Sequence, residues 1–117
     1  RIIGAFADNV AASDKKLIAM MTSGLGSVAN TWQAGRYAYR TSKAGLNMLT
    51  RSAGEWLEKR DITIIAIAPG WTRTELGGPS APTAVEESVA GMRAIFDRLT
   101  IADTGTYWNF DGQKLPW

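Results

Sequence analysis

Ile2, Ile3, Phe6 and Val10 recur at near-helical spacing, which predicts that residues 1–12 are the last turns of an amphipathic helix. The polar turn Ser13–Lys16 separates it from LIAMMT, residues 17–22, a continuous apolar run stopped by a Ser-Gly cluster. That length and those flanks predict a strand buried on both faces, as in a parallel sheet with helices above and below. Gly24, Gly26, Asn30 and Gly35 mark residues 23–36 as loop. From Tyr37 to about Arg60 the pattern turns helical again. Leu46, Leu49, Ala53, Trp56 and Leu57 form its expected buried stripe, with Arg51, Glu55, Glu58 and Lys59 facing outward. ITIIAIA, residues 62–68, is a second buried strand, halted by Pro69-Gly70. Residues 71–82 carry Gly77-Gly78 and two prolines and predict a long loop, free to act as a lid. Thr83 and Glu86 have the spacing of a capping box, starting a helix with the stripe Val85, Val89, Met92, Phe96 and Leu99. TYWNF, residues 106–110, ends the pattern as a short strand closed by Asp111-Gly112.

Helix and strand alternate three times, which argues an α/β fold with a parallel sheet. The 117 residues suffice for one domain core, and 45% hydrophobic with 21% charged content is ordinary for a globular chain. The absence of Cys and His matters more. It removes disulfides, thiolate nucleophiles, imidazole catalysis and the usual zinc sites, leaving Tyr, Lys, Asp and Glu as general acids or bases. The net charge of +2 is dispersed, with no basic block to support nucleic-acid binding. No apolar run approaches the roughly 18–20 residues of a membrane span. Because the chain opens inside a helical pattern at Arg1, it is expected to be the later part of a longer protein, with DGQKLPW as its natural end.

In open parallel sheets, ligands bind beyond the carboxyl ends of the strands. The first strand runs into Ser23 and the second into Pro69-Gly70, and the helix between them begins with Tyr39 and Lys43. Four residues apart on a helix, these two share a face. A cation one turn from a phenol favours the phenolate and so makes a tunable proton donor. Tyr37 has Thr41, not Lys, at that spacing and is expected to pack. Trp32, Trp71 and Trp108 are expected as core or rim anchors, Trp71 being the best pocket candidate, and Arg73 and Glu75 as solvated loop charges.

The set Ser23-x-x-Gly26, then Tyr39-Arg40-Thr41-Ser42-Lys43-Ala44, then Pro69-Gly70-Trp71-Thr72-Arg73-Thr74 resembles the short-chain dehydrogenase/reductase superfamily in order and context across essentially the whole chain. GSVANTWQAGRYAYRTSKAGLN and the NFDGQ…PW ending look closest to its C-factor-like carbonyl reductases. The resemblance implies the C-terminal part of a doubly wound, Rossmann-like α/β sheet, residues 1–117 being the catalytic part of a single NAD(P)-binding domain. It implies an oxidoreductase that interconverts a carbonyl and an alcohol. Tyr39 would be the acid/base, Lys43 would assist it and hold the nicotinamide ribose, and Ser23 would hydrogen-bond the substrate oxygen. Pro69, Gly70, Thr72 and Thr74 would hold the nicotinamide, the cofactor being NADP(H) or NAD(H) with a leaning to NADP. A small carbonyl or alcohol substrate, a cytoplasmic location and a homo-oligomer follow, with no metal, nucleic-acid or membrane partner. Two alternatives stand beside this: a dinucleotide-binding sensor or signalling protein with little turnover, and a fragment inactive by itself. Ser23 and Tyr39 lie 16 positions apart, longer than is usual in the family, with Trp32 and Gln33 in the extra length.

Overall fold

The computed structural model describes residues 1–117. Its elements are α1 (Ile2–Ala11), β1 (Leu17–Met21), α2 (Tyr37–Glu58), β2 (Thr63–Ala68), α3 (Val85–Arg98) and β3 (Thr106–Asn109), with short 3-10 turns at Gly24–Gly26 and Ile101–Asp103. The sheet order is β1-β2-β3 and both pairings are parallel, Leu17 lying opposite Thr63 and Ile65 opposite Thr106. The expected α/β architecture is therefore present, with each strand within two residues of its expected bounds.

β2 is central and every one of its residues is buried. Its side chains alternate between two cores, as strand geometry requires. Ile65 and Ile67 pack with Met92, Ile95 and Trp108 beneath α3. Ile64 packs with Ala7, Leu57 and Ile62 beneath α1 and α2. Further along that second face, Ala66 and Ala68 are small, and Tyr107 from β3 lies against them. Burying one such isoleucine contributes about 1.5–3 kcal/mol, so β2 anchors both layers.

β1 departs from expectation. Instead of being buried on both faces it is half-exposed, with Ala19 and Met21 open. It is an edge strand whose outer side pairs with nothing in this chain.

The stripe expected on α2 holds in part, with Leu57 buried and Ala53 packed beside it. Its buried line is Asn47, Thr50, Gly54 and Leu57, while Leu49 and Trp56 are exposed. Close approach decides this: a Cβ on Gly54 would lie 3.4 Å from Gly105 Cα, so the helix turns its small and polar positions inward. α3 buries Ser88, Met92 and Ile95, with Phe96 and Leu99 packed alongside, but Val85 and Val89 stay exposed. On α1, Ile3 and Val10 pack inward while Ile2 and Phe6 face out.

The Thr83–Glu86 capping box does not form. Ala84 is the N-cap, without a side-chain bond. Thr83 is instead drawn into a backbone bridge, donating to Trp71 O at 3.2 Å and accepting from Arg73 N at 2.9 Å. A capping box does close around the 3-10 turn at Ile101–Asp103, between Thr100 and Asp103. No helix is long and apolar enough to cross a membrane.

Candidate functional site

β1 ends at Met21 and the chain turns at once into the 3-10 turn, with Ser23 as its N-cap. The Ser23 hydroxyl oxygen accepts from Leu25 N at 3.2 Å, which leaves its own proton free to donate. The third residue on, Gly26, sits directly against α2. A Cβ there would meet the Lys43 carbonyl carbon and Cβ at 2.9 Å and Asn47 Nδ2 at 3.0 Å. The Ser-x-x-Gly spacing thus has a mechanical cause: only a glycine lets the turn that carries Ser23 press onto the helix turn that carries Lys43. Thr22 reinforces the seam, its hydroxyl donating to Lys43 O at 3.4 Å while its N–H donates to Ile67 O on β2 at 2.9 Å.

Tyr39 and Lys43 share one face of α2, with the Lys43 ammonium 5.7 Å from the centroid of the Tyr39 ring. Tyr39 is 38% exposed, so its phenol is open to a ligand. Lys43 has no carboxylate partner; its ammonium donates to Met21 O, 3.3 Å away at the end of β1. Ser23, Tyr39 and Lys43 are thereby gathered at the carboxyl end of the sheet, beside its open edge. A recess of about 330 Å³ bounded by Glu87, Gly91, Arg98 and Asp111 lies elsewhere, between α3 and the turn after β3.

The Pro69-Gly70 turn follows β2. Gly70 has φ +78°, and a Cβ on it would stand 2.6 Å from the Phe110 ring. Glycine is therefore required here by a protein side chain already in place, besides any flat ligand. Pro69 O accepts from Ser88 Oγ at 2.7 Å and Thr72 Oγ1 at 3.0 Å. Thr74 is exposed, and its Oγ1 accepts from Gly77 N at 3.1 Å.

The loop 71–82 is tied down rather than free. The Trp71 indole N–H donates to Gly77 O at 2.8 Å, and the Arg73 guanidinium reaches Ala81 O at 3.1 Å and Pro82 O at 2.9 Å. Arg73 is exposed, as expected of a loop charge, and its guanidinium also clamps the base of the loop. Tyr37 does not pack, being 71% exposed at the start of α2, and Trp32 is 88% exposed in the loop before it. Trp108 does join the core.

Several contributors were not singled out from the sequence. Asn47 donates from Nδ2 to Gly26 O at 3.1 Å, while its Oδ1 is buried without a partner. Tyr107, 1% exposed, donates its hydroxyl to Ser23 O at 2.5 Å. Burial pushes the Tyr107 phenol above the usual tyrosine range; the nearby Asn47 amide opposes this, and ionisation of the nearby Tyr39 would add to it. Polar residues on the inward line of α2 are the signal that points to Asn47. For Tyr107 the alternation in TYWNF marks a buried face but not its reach.

Comparison with known proteins gives the family and the fold. The family model described as short chain dehydrogenase matches residues 2–84. C-signal of Myxococcus xanthus is 38% identical over 100 residues, covering 86% of this chain and 60% of the relative. The carbonyl reductase Sniffer of D. melanogaster superposes with a TM-score of 0.83 at 38% identity, over 86% of this chain and 41% of that one. The NADPH-bound carbonyl reductase from chicken fatty liver gives 0.89 at 32% identity, over 99% of this chain and 51% of that one. The chain thus spans about half the length of these proteins. A Ser-x-x-Gly turn pressed on a Tyr-x-x-x-Lys helix, followed by a Pro-Gly turn on the next parallel strand, and a family match across most of those elements lead to one assignment: the chain belongs to the short-chain dehydrogenase family.

Proposed function

We propose that the whole protein is an NAD(P)-dependent oxidoreductase interconverting a carbonyl and an alcohol, and that residues 1–117 form the catalytic, C-terminal part of its dinucleotide-binding domain. The observation that carries this is the gathering of Ser23, Tyr39 and Lys43 at the carboxyl end of a parallel sheet, with Tyr39 open and Lys43 free of any carboxylate. The same donors suit a nicotinamide ribose: an ammonium without a carboxylate partner beside an exposed phenol, at the sheet end where β2 runs into the turn Pro69, Gly70, Thr72 and Thr74. When bound, the nicotinamide supplies or accepts the hydride. In the reducing direction Tyr39 gives its proton to the carbonyl oxygen, and the Ser23 O–H donates a hydrogen bond to that oxygen as charge develops on it. Lys43 stabilises the phenolate left behind. The NADPH-bound relative favours NADP(H) over NAD(H). The same reading gives a small-molecule partner, a cytoplasmic location and a homo-oligomer, the last supported by exposed Phe6, Met48, Leu49 and Trp56 on α1 and α2.

In the full-length protein Tyr39→Phe is expected to lower kcat by about 10²–10⁴ against aldehydes or ketones, the usual worth of a positioned acid. Unchanged turnover would overturn the proposal. Lys43→Ala should weaken cofactor binding and rate together.

The relative named C-signal favours a second reading, a dinucleotide-binding signalling protein with little turnover. Tight NADPH binding without reduction of any carbonyl in a broad panel would select it. The isolated 117 residues are expected to bind NADPH poorly, having no glycine-rich pyrophosphate turn; submillimolar binding by calorimetry would contradict that.

A further inference from the structure

Ser23 lies just past the last residue of an edge strand, where a side chain needed at a fixed place has least support. Support reaches it from the far side of the sheet. Tyr107 stands on β3 opposite Ala66 of β2, and the strand order places β2 between Tyr107 and Ser23. Neighbouring strands are about 4.8 Å apart, so crossing from β3 toward β1 needs a long side chain and an unobstructed middle strand. Ala66 and Ala68 leave that path clear, and the ring crosses over them until its hydroxyl donates to Ser23 O at 2.5 Å.

A second set of contacts holds the ring and the following loop. After β3 the chain doubles back: Leu115 N donates to Tyr107 O at 2.8 Å, and the Trp117 ring stacks on the Tyr107 ring, centroids 5.3 Å apart. Ser27, 1% exposed, donates its hydroxyl to Pro116 O at 2.7 Å, and Ala29 N donates to Trp117 O at 2.9 Å. Asn47 holds Gly26 O from α2. The five residues from Ser23 to Ser27 are thus fastened at Ser23, Gly26 and Ser27, two of the three fastenings coming from β3 and the segment after it.

We infer that Tyr107, braced by Trp117, is a positioning residue that fixes Ser23 for hydrogen bonding to the substrate oxygen. The inference rests on the substrate-contacting role proposed for Ser23. Tyr107 itself touches no reacting atom. Its effect passes through the Ser23 carbonyl. Losing the bond leaves the Ser23 carbonyl only its local partner, the Gly26 N–H at 2.8 Å, and unties the turn from β3. A small displacement of a group that must meet a developing charge costs rate rather than binding.

The test is a double-mutant cycle in the full-length protein between Tyr107→Phe and Ser23→Ala, reading kcat, KM and NADPH affinity, with amide hydrogen exchange as a readout independent of turnover. Tyr107→Phe keeps the stack on Trp117 and removes only the hydroxyl. It is expected to lower kcat about five- to tenfold, the equivalent of one hydrogen bond, with KM and NADPH affinity changed less than about twofold. In the Ser23→Ala background it should have no further effect on kcat. Exchange at the amides of Gly26 and Ser27 should quicken about tenfold while β2 amides stay unchanged. A Tyr107→Phe enzyme of normal kcat, or one whose loss multiplies fully with that of Ser23→Ala, overturns the inference. So does unchanged exchange in the turn. If Ser23→Ala alone leaves kcat intact, it is the role proposed for Ser23 that fails.

Discussion

β1 and β2 are both short, apolar and parallel, yet one is half-exposed at its edge and the other is sealed on both faces. β2 has a strand on either side and helices over both faces. β1 has a neighbour on one side only, and its last residues deliver Ser23 and the Met21 carbonyl that receives Lys43. The sealed strand carries the fold, and the open one leads to the residues proposed for the chemistry. Binding sites need exposed groups, and an edge beside a rigid centre supplies them with little loss of order.

The largest test of that contrast is a truncation in each strand. Ile67→Ala should lower the unfolding free energy by about 2–5 kcal/mol, with Ile18→Ala on the half-buried edge well below it, by denaturant titration. Equal losses would mean that the edge is as well packed as the centre.

Next comes the seam between Ser23 and α2. Gly26→Ala should cost about 1–3 kcal/mol by overpacking against Lys43, with a fall in kcat of the whole protein. Gly24→Ala, where a Cβ would meet nothing within 4 Å, should stay within about 0.5 kcal/mol. A harmless Gly26→Ala would remove the mechanical explanation of the motif.

A smaller effect is expected in alkali. The folded state holds Tyr107 above its unfolded pKa, so its contribution is complete below about pH 10 and is lost as pH rises through the higher folded value. Thermal melts at rising pH should show a steeper decline than in Tyr107→Phe, since all other titrations are common to both. The smallest effect belongs to the exposed Lys15–Asp97 pair, 3.0 Å apart, where Lys15→Ala should change the melting free energy by no more than about 1 kcal/mol.

The strands and helices were legible because apolar runs and helical periodicity are local signals. The motif residues at the site were legible too, by order and spacing. Burial was less so. Leu49 and Trp56 fit a helical stripe, but helix α2 buries Asn47, Thr50 and Gly54 instead, because its distance from the 3-10 turn and Gly105 admits only small or hydrogen-bonded groups. Thr83 and Glu86 have the spacing of a cap, but the backbone bridge to residues 71–73 competes for Thr83 and wins.

The sequence by itself determined the alternation of strands and helices, the placement of Tyr39 and Lys43 one turn apart, and the strand ends that flank them. These rest on backbone periodicity and on glycine and proline, whose effects act within a few residues. Only the tertiary structure decided that β1 is an open edge, that Gly26 is pressed onto Lys43, and that Tyr107 reaches across two alanines to Ser23, 84 positions away. Those depend on which elements are neighbours and how closely they approach, and no local pattern carries that distance.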